Sequence, residues 1–459
     1  MTPRRRAARG AALVLAIAAV LAPLRAGAVG LAEEQALGAR FALEARVQLA
    51  LVREPAVTGY LRDVGSKLAA RLDGASSPYR YYVVRDASLN AFAVPGGYVY
   101  VHSGLVLGVA NEAELAGVLA HELVHVAAHH AARQQEKTAL IGYGTLLGMF
   151  LSIVHPALGA GALAAGAAAQ LKYQREFEQE ADAVGLELMA PAGFDPAGMP
   201  AFLRGVLREQ RLNPAGVPPY FLSHPLTEDR VAALEQRLSS LPRPAPRPGG
   251  ELRLAAAQAT IRALTDSASA VLPAYRAAAA AAPDDAAAAH RLGLVLLYAA
   301  PSRPDEAEPL LVRAAAAKVP GALGDLGRAQ ARLGHSDGAR QSFEAALRLA
   351  PDDAALSLEL GKLALAGGER KRAGALFTRA LAIDPELDDA EYGLAECASK
   401  NGDERGQWAH LGRAFELRAD LARARSAYEK ALELASENAP ERAELRAAIQ
   451  RIDRVGTGR

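Results

Sequence analysis

Apolar residues follow two different spacings in the first part of the chain. Residues 31–72 carry apolar side chains at helical spacing, which predicts helices. The segments Tyr79–Arg85, Ala91–Val94 and Tyr98–Val101 are short and rich in aromatic and β-branched residues, which predicts strands. Pro95-Gly96-Gly97 lies between the last two segments and predicts a hairpin turn. We expect all three segments to form one small antiparallel sheet.

The second part of the chain repeats a helical pattern every 34 residues. The landmarks are Leu326-Gly327, Ala339, Phe343, Ala346 and Pro351, which return as Leu360-Gly361, Ala373, Phe377, Ala380 and Pro385. This period and these residue types resemble the tetratricopeptide repeat, in which pairs of helices stack into an α-solenoid. A further unit begins at Leu411-Gly412, displaced by an extra helix near residues 388–400. Such stacks carry a concave groove that binds peptides or partner proteins.

A Pro- and Gly-rich segment at residues 241–250 separates these two parts. Proline can neither continue a helix nor pair inside a sheet, so we predict a stiff linker here. The expected organisation is a mainly α chain with a first domain at 29–240 and a repeat domain at 251–459.

Residues 1–28 have the three-part pattern of a secretory signal. Four arginines are followed by an apolar run at 11–24 and by Ala26-Gly27-Ala28, so we expect cleavage after Ala28. The alternative is an uncleaved membrane anchor, but the run is shorter than the roughly 18 to 20 residues that span a bilayer. We therefore predict an exported, periplasmic protein.

Charge and composition exclude several classes of protein. Lys and Arg number 52 and Asp and Glu 51, and the net charge of +1 offers no footprint for nucleic acid. At 51% hydrophobic residues the chain is too apolar to be disordered. Cys397 is the single cysteine, so no intramolecular disulfide can form.

The segment from Thr138 to Leu171 contains no Asp, Glu, Lys or Arg. A membrane hairpin is one interpretation, but each arm would have only about 15 residues, which is short for a span. We favour buried or membrane-facing helices that cover the candidate site, with peripheral membrane contact.

The motif His121-Glu122-Leu123-Val124-His125 lies on a helix predicted from Glu112 to Arg133, with Asn111 as its N-cap. Two His four residues apart lie on one helix face, so both imidazoles can reach one metal ion. Glu122 is rotated roughly 100° from His121, which suits a general base that deprotonates a metal-activated water.

A catalytic zinc needs a third protein ligand. On a continuous helix His129 and His130 are too far from His121 to share an ion with it, and we interpret them as packing or surface residues. Glu178 and Asp182 share one face of a second predicted helix. Glu178 would complete the site, and Asp182 would orient an imidazole by accepting its other N–H.

Four motifs together resemble the HtpX and BepA-like family of zinc metallopeptidases. They are HELVH, EQEAD at 178–182, Asn90-Ala91-Phe92-Ala93-Val94-Pro95-Gly96-Gly97, and Ser223-His224-Pro225 with Arg230. With a signal segment in front and repeats behind, the chain resembles the periplasmic β-barrel assembly-enhancing proteases of that family. The resemblance implies a zincin-like α+β domain, one Zn²⁺ per chain and Glu178 as third ligand.

The resemblance also implies roles for residues that spacing alone does not place. Asn90, Ala91 and Phe92 would form an edge strand that pairs with the substrate backbone. His224 would approach the zinc, either as a fourth ligand that keeps the enzyme latent or as a stabiliser of the oxyanion, with Arg230 in support.

Two functions from different classes remain open at this stage. One is an exported zinc endopeptidase that degrades misfolded or stalled outer-membrane proteins, with repeats that recruit substrate or the β-barrel assembly machinery. The other is a chaperone or adaptor for outer-membrane protein assembly whose zinc site is latent.

Overall fold

A computed structural model describes residues 31–72, 78–137, 167–212, 220, 224–437 and 439–456. The expected signal segment and residues 138–166 of the uncharged segment lie outside these ranges. The chain divides into two compact units. The first contains the described residues up to Leu51, then Leu61–Arg247 and the end from Val455, and the second contains Val52–Tyr60 and Pro248–Arg454. The division at Arg247 falls inside the segment predicted to be a linker.

The first part of the chain combines helices with one small sheet. Its elements are α1 (Leu31–Gln48), β1 (Leu51–Val52), α2 (Pro55–Ala69), β2 (Arg80–Val84), β3 (Ala91–Val94), β4 (Tyr98–His102), α3 (Ser103–Gly108), α4 (Glu112–Ala127), α5 (His130–Lys137), α6 (Ala167–Met189), α7 (Gly198–Leu212) and α8 (Glu228–Leu238).

The sheet is mixed, which corrects the expectation of an antiparallel one. Its strand order is β1-β2-β4-β3. The β3–β4 hairpin is antiparallel as predicted, but β4 lies between β3 and β2 and runs parallel to β2. The reason is the connection at 85–90, which leaves a space for one strand between β2 and β3. The hairpin then places β4 in that space. Gly96 and Gly97 allow the hairpin turn, since both have φ of +86°.

Aromatic side chains fill one face of this sheet. Tyr82, Tyr100 and Phe92 stack across the strands, with ring centroids 4.8 Å and 5.0 Å apart. Phe41 of α1 meets Phe92 and Tyr100 edge-on, at 6.2 Å and 5.7 Å. A Cβ at Gly38 would lie 1.8 Å from the Pro95 carbonyl oxygen, so α1 can contact the hairpin turn only through glycine. This packing holds β3 and β4 rigidly beside α4, which packs on β3.

The helix expected to run from Glu112 to Arg133 is broken, and that prediction was wrong. Asn111 caps its start as predicted, by accepting a hydrogen bond from the Glu114 N–H at 2.9 Å. The helix α4 ends at Ala127, His129 adopts the left-handed region with φ of +52°, and α5 begins at His130. A hydrogen bond between His129 Nδ1 and Glu34 Oε2, at 2.6 Å, holds the side chain in that conformation.

The second unit is a series of antiparallel helices. They are α9 (Gly250–Thr265), α10 (Ala268–Ala281), α11 (Ala286–Tyr298), α12 (Pro304–Ala316), α13 (Ala322–Arg332), α14 (Ser336–Leu349), α15 (Ala354–Ala366), α16 (Arg370–Ile383), α17 (Asp388–Lys400), α18 (Glu404–Leu417), α19 (Leu421–Leu434) and α20 (Glu441–Gly456).

The repeat landmarks mark where paired helices cross. A Cβ at Gly327 would lie 2.7 Å from the Phe343 ring, and a Cβ at Gly361 would lie 2.6 Å from the Phe377 ring. Both phenylalanines are fully buried. The Gly–Phe pairs have the same spacing in both repeats because the two helices of each repeat cross with the same geometry. The extra helix expected near 388–400 is α17.

Candidate metal centre

Two helices of the first unit bring the candidate site together. Helix α4 packs against α6, and Gly185 of α6 faces the α4 backbone beside His121. A Cβ there would lie 3.2 Å from the His121 nitrogen and 3.3 Å from the Ala120 carbonyl carbon, so a larger residue would push the helices apart. The close approach places the acidic face of α6 against the histidine face of α4.

Three imidazoles and one carboxylate converge at this crossing. His121, His125, Glu178 and His224 each offer one ligand atom, and these atoms all lie within 4.8 Å of one another. His121 Nε2 lies 3.1 Å from His125 Nε2, 3.4 Å from Glu178 Oε2 and 3.3 Å from His224 Nδ1. Glu178 Oε1 lies 3.4 Å from His125 Nε2 and 2.9 Å from His224 Nδ1. Among the residues that the structure describes, this is the group of His and acidic side chains whose donor atoms lie close enough together to hold a metal ion.

These spacings fit a small tetrahedral cation. Zinc–nitrogen bonds of about 2.0–2.1 Å in a tetrahedron place neighbouring ligand atoms roughly 3.3 Å apart. Measured to either Glu178 oxygen, five separations in the cluster run from 2.9 Å to 3.4 Å, and one ligand atom from each of the four residues lies within 4.8 Å of the others. Nitrogen and carboxylate oxygen are also the donors that zinc takes in proteins. The cluster therefore has the donor atoms that a tetrahedral metal ion takes, at separations close to those it needs.

A charged pair behind the cluster orients two of these groups. Asp182 Oδ1 accepts from His121 Nδ1 at 3.0 Å, which leaves His121 Nε2 directed at the cluster. Arg230 donates to both Asp182 oxygens, at 2.7 Å and 2.8 Å, and its Nη1 lies 2.9 Å from Glu178 Oε2. Asp182, Arg230 and Glu178 are all buried. One guanidinium thus fixes both a ligand carboxylate and the carboxylate that holds a ligand imidazole.

The remaining histidine of the motif is held by a residue that the sequence analysis set aside. His130 is buried, and its Nδ1 lies 2.9 Å from His125 Nδ1. The break after Ala127 turns His130 back toward the motif, whereas on a continuous helix it would point elsewhere. His129 is unlike it, since it pairs with Glu34 and stays away from the cluster.

Glu122 lies beside the cluster but is not part of it. Its side chain is buried, and Glu122 Oε1 lies 3.6 Å from His224 Nε2. Tyr220 lies beside the Glu122 carboxylate, and its ring stacks on the His224 ring at 4.8 Å. Tyr220 was missed by the sequence analysis, because a single tyrosine four residues before a histidine carries no periodic signal.

Comparison with known proteins identifies this part of the chain. Residues 55–238 match peptidase family M48. They form an M48 domain. Residues 320–353 and 408–438 match the tetratricopeptide repeat, which confirms the repeat prediction and the displaced later unit.

The relatives of the chain are named as a protease or a metalloendopeptidase. The beta-barrel assembly-enhancing protease of Escherichia coli (strain K12) is 31% identical over 221 residues, which cover 46% of this chain and 45% of that protein. The protein of the same name from Yersinia pestis is 34% identical over 217 residues, 46% of this chain and 44% of that protein. The mitochondrial metalloendopeptidase OMA1 of Schizosaccharomyces pombe is 30% identical over 187 residues, 39% of this chain and 53% of that protein. The chain therefore spans about half the length of the curated relatives it matches.

Burial and charge shift the pKa values of the M48 cluster in opposite directions. Burial alone would lower the pKa of His121, but hydrogen bonds from its ring to Asp182 and Glu178 outweigh burial and raise it to about 10. For His125 burial dominates and lowers the pKa to about 3. Burial opposes ionisation of Glu178, yet the neighbouring His224 and His121 lower its pKa well below the usual value. Burial raises the pKa of Glu122.

The predicted substrate strand lies next to this site. β3 stands at the end of the sheet order, and it packs against α4. The side chains of Asn90, Ala91 and Phe92 are buried, so only backbone groups of this strand could meet a substrate. The Asn90 carbonyl already accepts from the His102 N–H at 2.9 Å, on the side that faces β4. Their role in substrate binding stays a prediction.

No helix among the described residues is long and apolar enough to cross a membrane.

Proposed function

We propose that this chain is a zinc-dependent endopeptidase whose M48 domain hydrolyses peptide bonds. The observation that supports the proposal is the convergence of ligand atoms from His121, His125, Glu178 and His224, with the Glu122 carboxylate beside them. His121, His125 and Glu178 would hold one Zn²⁺ per chain. Zinc bound there would polarise the scissile carbonyl and lower the pKa of a water molecule toward roughly 7.

The residues of the chain would then perform distinct steps. Glu122 would accept a proton from the attacking water at its carboxylate and pass it to the leaving nitrogen. Burial favours this role, because it raises the pKa of Glu122 toward that of an effective general base. Asp182 and Arg230 would keep His121 and Glu178 in place and would not contact the substrate.

We assign His224 the role of an inhibitory fourth ligand. A catalytic zinc keeps one position open for water, whereas a site with four protein ligands is closed. His224 Nδ1 lies 2.9 Å from Glu178 Oε1 and 3.3 Å from His121 Nε2, as close as the other ligand atoms are to one another. Cleavage then requires that His224 withdraw from the cluster.

Substitution at Glu122 tests the proposal. We expect Glu122→Gln to bind zinc as the unsubstituted protein does and to lose casein cleavage by about 10²- to 10⁴-fold, since the general base is gone. Glu209→Gln, at an exposed position on α7, is the matched control and should leave cleavage unchanged. If Glu122→Gln keeps full activity with zinc bound, Glu122 is not the base.

Substitution at His224 separates its two candidate roles. Removal of an inhibitory ligand by His224→Ala should increase casein cleavage. A decrease in cleavage, with zinc still bound, would instead identify His224 as a stabiliser of the oxyanion.

We further propose that the protein is exported to the periplasm and acts on misfolded or stalled outer-membrane proteins. Support comes from the names of the relatives, the expected signal segment at 1–28 and the tetratricopeptide repeats, whose stacked helices suit binding of substrate or of the β-barrel assembly machinery. The alternative is an adaptor whose zinc site is latent. Rescue of an envelope-stress defect by the Glu122→Gln protein would favour the adaptor, and loss of rescue the peptidase.

A further inference from the structure

The two histidines of the motif differ in what holds their outer nitrogens. His121 Nδ1 meets a carboxylate directly, namely Asp182. His125 Nδ1 meets the ring of His130 instead, at 2.9 Å between the two Nδ1 atoms. A ligand imidazole that binds metal through Nε2 carries its proton on Nδ1, so His125 must donate and His130 Nδ1 must accept.

This tautomer of His130 places the proton of its other nitrogen near a carboxylate. With Nδ1 accepting, His130 carries its proton on Nε2, which lies 3.3 Å from Glu180 Oε2. Arg133 in turn donates to both Glu180 oxygens, at 3.1 Å and 3.0 Å. His125 and His130 thus meet through their Nδ1 atoms, and the Glu180 carboxylate, held by Arg133, lies within ion-pair distance of the other nitrogen of His130.

Packing holds His130 in this position. Its ring stacks on Phe177 with centroids 4.5 Å apart and planes inclined by 22°, and its side chain is 4% exposed. The Arg133 guanidinium covers the same Phe177 ring at 5.0 Å. Because α5 starts afresh at His130, the break at His129 sets the direction of this ring independently of α4.

We propose that His130 is a positioning residue for zinc, which orients the His125 imidazole by accepting its Nδ1–H and passes that constraint on to Glu180. This inference rests on the proposed function, since it concerns the same metal. In this arrangement the His130 imidazole lies between the ligand His125 and the Glu180 carboxylate, whereas His121 contacts the Asp182 carboxylate directly. Loss of such an outer partner weakens metal binding about 10- to 100-fold in other sites.

Three variants of the full-length protein test the proposal through zinc affinity, measured by competition with a chromophoric chelator at a fixed pH. His130→Phe keeps an aromatic ring on Phe177 but removes the acceptor, and we expect the zinc dissociation constant to rise about 10- to 100-fold. His130→Gln offers an amide oxygen at a similar place and should recover most of that loss. His335→Phe is the matched control, since it makes the same substitution at an exposed histidine of the second unit that lies beside Glu308; the zinc affinity should not change.

Two further readouts separate positioning from packing. The melting temperature with chelator present should be alike for the His130→Phe and His130→Gln proteins, while the cobalt-substituted absorption spectrum should change only for His130→Phe. If His130→Phe does not fold, Glu180→Gln, at a half-exposed side chain, must still weaken zinc binding several-fold.

Distinct results overturn the inference and the proposed function. Unchanged zinc affinity in His130→Phe, or equal losses in the Phe and Gln variants, refutes a positioning role for His130. Absence of zinc binding by the unsubstituted protein refutes the proposed function itself.

Discussion

Arg230 should contribute more to the stability of the M48 domain than any exposed arginine on the same helix. It is 7% exposed and bonds both oxygens of Asp182, the Pro225 carbonyl at 2.9 Å, and Glu178. Arg230→Met keeps much of the side-chain volume and removes the charge. Two buried carboxylates would then lose their shared cation.

The size of the effect follows from the cost of an uncompensated buried charge. Removal of one partner from a buried ion pair costs about 3–5 kcal/mol of the free energy of unfolding. In a domain of 150–250 residues each kcal/mol shifts the melting temperature by about 2–4 °C, so the M48 domain should melt roughly 6–20 °C lower. The pKa of Asp182 is lowered in the folded protein, mainly by Arg230 and His121 acting against burial. This stability is present above the unfolded pKa of about 3.9 and is lost as the pH falls, so the difference should shrink below about pH 4.

Arg237→Met is the matched control on α8. Arg237 pairs with Glu187 at 2.8 Å, but both side chains are more than half exposed, and such pairs contribute about 0–1 kcal/mol. Calorimetry of the full-length proteins, with and without chelator, gives the melting temperature of the first transition. The argument from burial would be refuted if Arg230→Met melted within about 3 °C of Arg237→Met.

Three other outcomes can be measured directly. Gly361→Ala should destabilise the repeats by about 1–3 kcal/mol because its Cβ would meet Phe377, whereas Gly374→Ala, with open space around it, should stabilise them by up to about 1 kcal/mol in urea unfolding. Zinc binding at pH 7.5 should release about one proton in titration calorimetry across buffers, since His121 has a pKa of about 10 and His125 one of about 3; no release would contradict the hydrogen bonds assigned to His121. Zinc at 100 times its dissociation constant should stabilise the protein by about 2.7 kcal/mol, so chelation should lower the melting temperature, and an unchanged value would count against a bound metal.

Periodic features of this chain could be predicted from sequence. Helical spacing alone places His121 beside His125 and Glu178 on the same face as Asp182, because residues four apart share a helix face. The 34-residue recurrence likewise predicts the stacked helix pairs, since each landmark returns in phase, whereas the contact of Gly327 with Phe343 comes from the structure. Both inferences need only local geometry.

The features that were missed depend on contacts between distant segments. The break after Ala127 has no glycine or proline to announce it, and it forms where His129 can pair with Glu34, 95 residues away in sequence. The position of His130 follows from that break. Strand β4 runs parallel to β2 because the hairpin folds inward, and no residue pattern in β2 distinguishes that from an antiparallel neighbour.

The balance of buried charge explains why this M48 cluster suits a divalent ion. Glu122, Glu178 and Asp182 are each at most 4% exposed, and Arg230 is the single guanidinium that the described residues bring to them. Three carboxylates against one cation leave two negative charges in a region where an unpaired charge costs several kcal/mol. The raised pKa of His121 is consistent with this excess of negative charge, because a proton on His121 supplies one positive charge. A divalent cation held by neutral imidazoles would cancel the whole excess, so the charges that orient the ligands also favour a divalent ion.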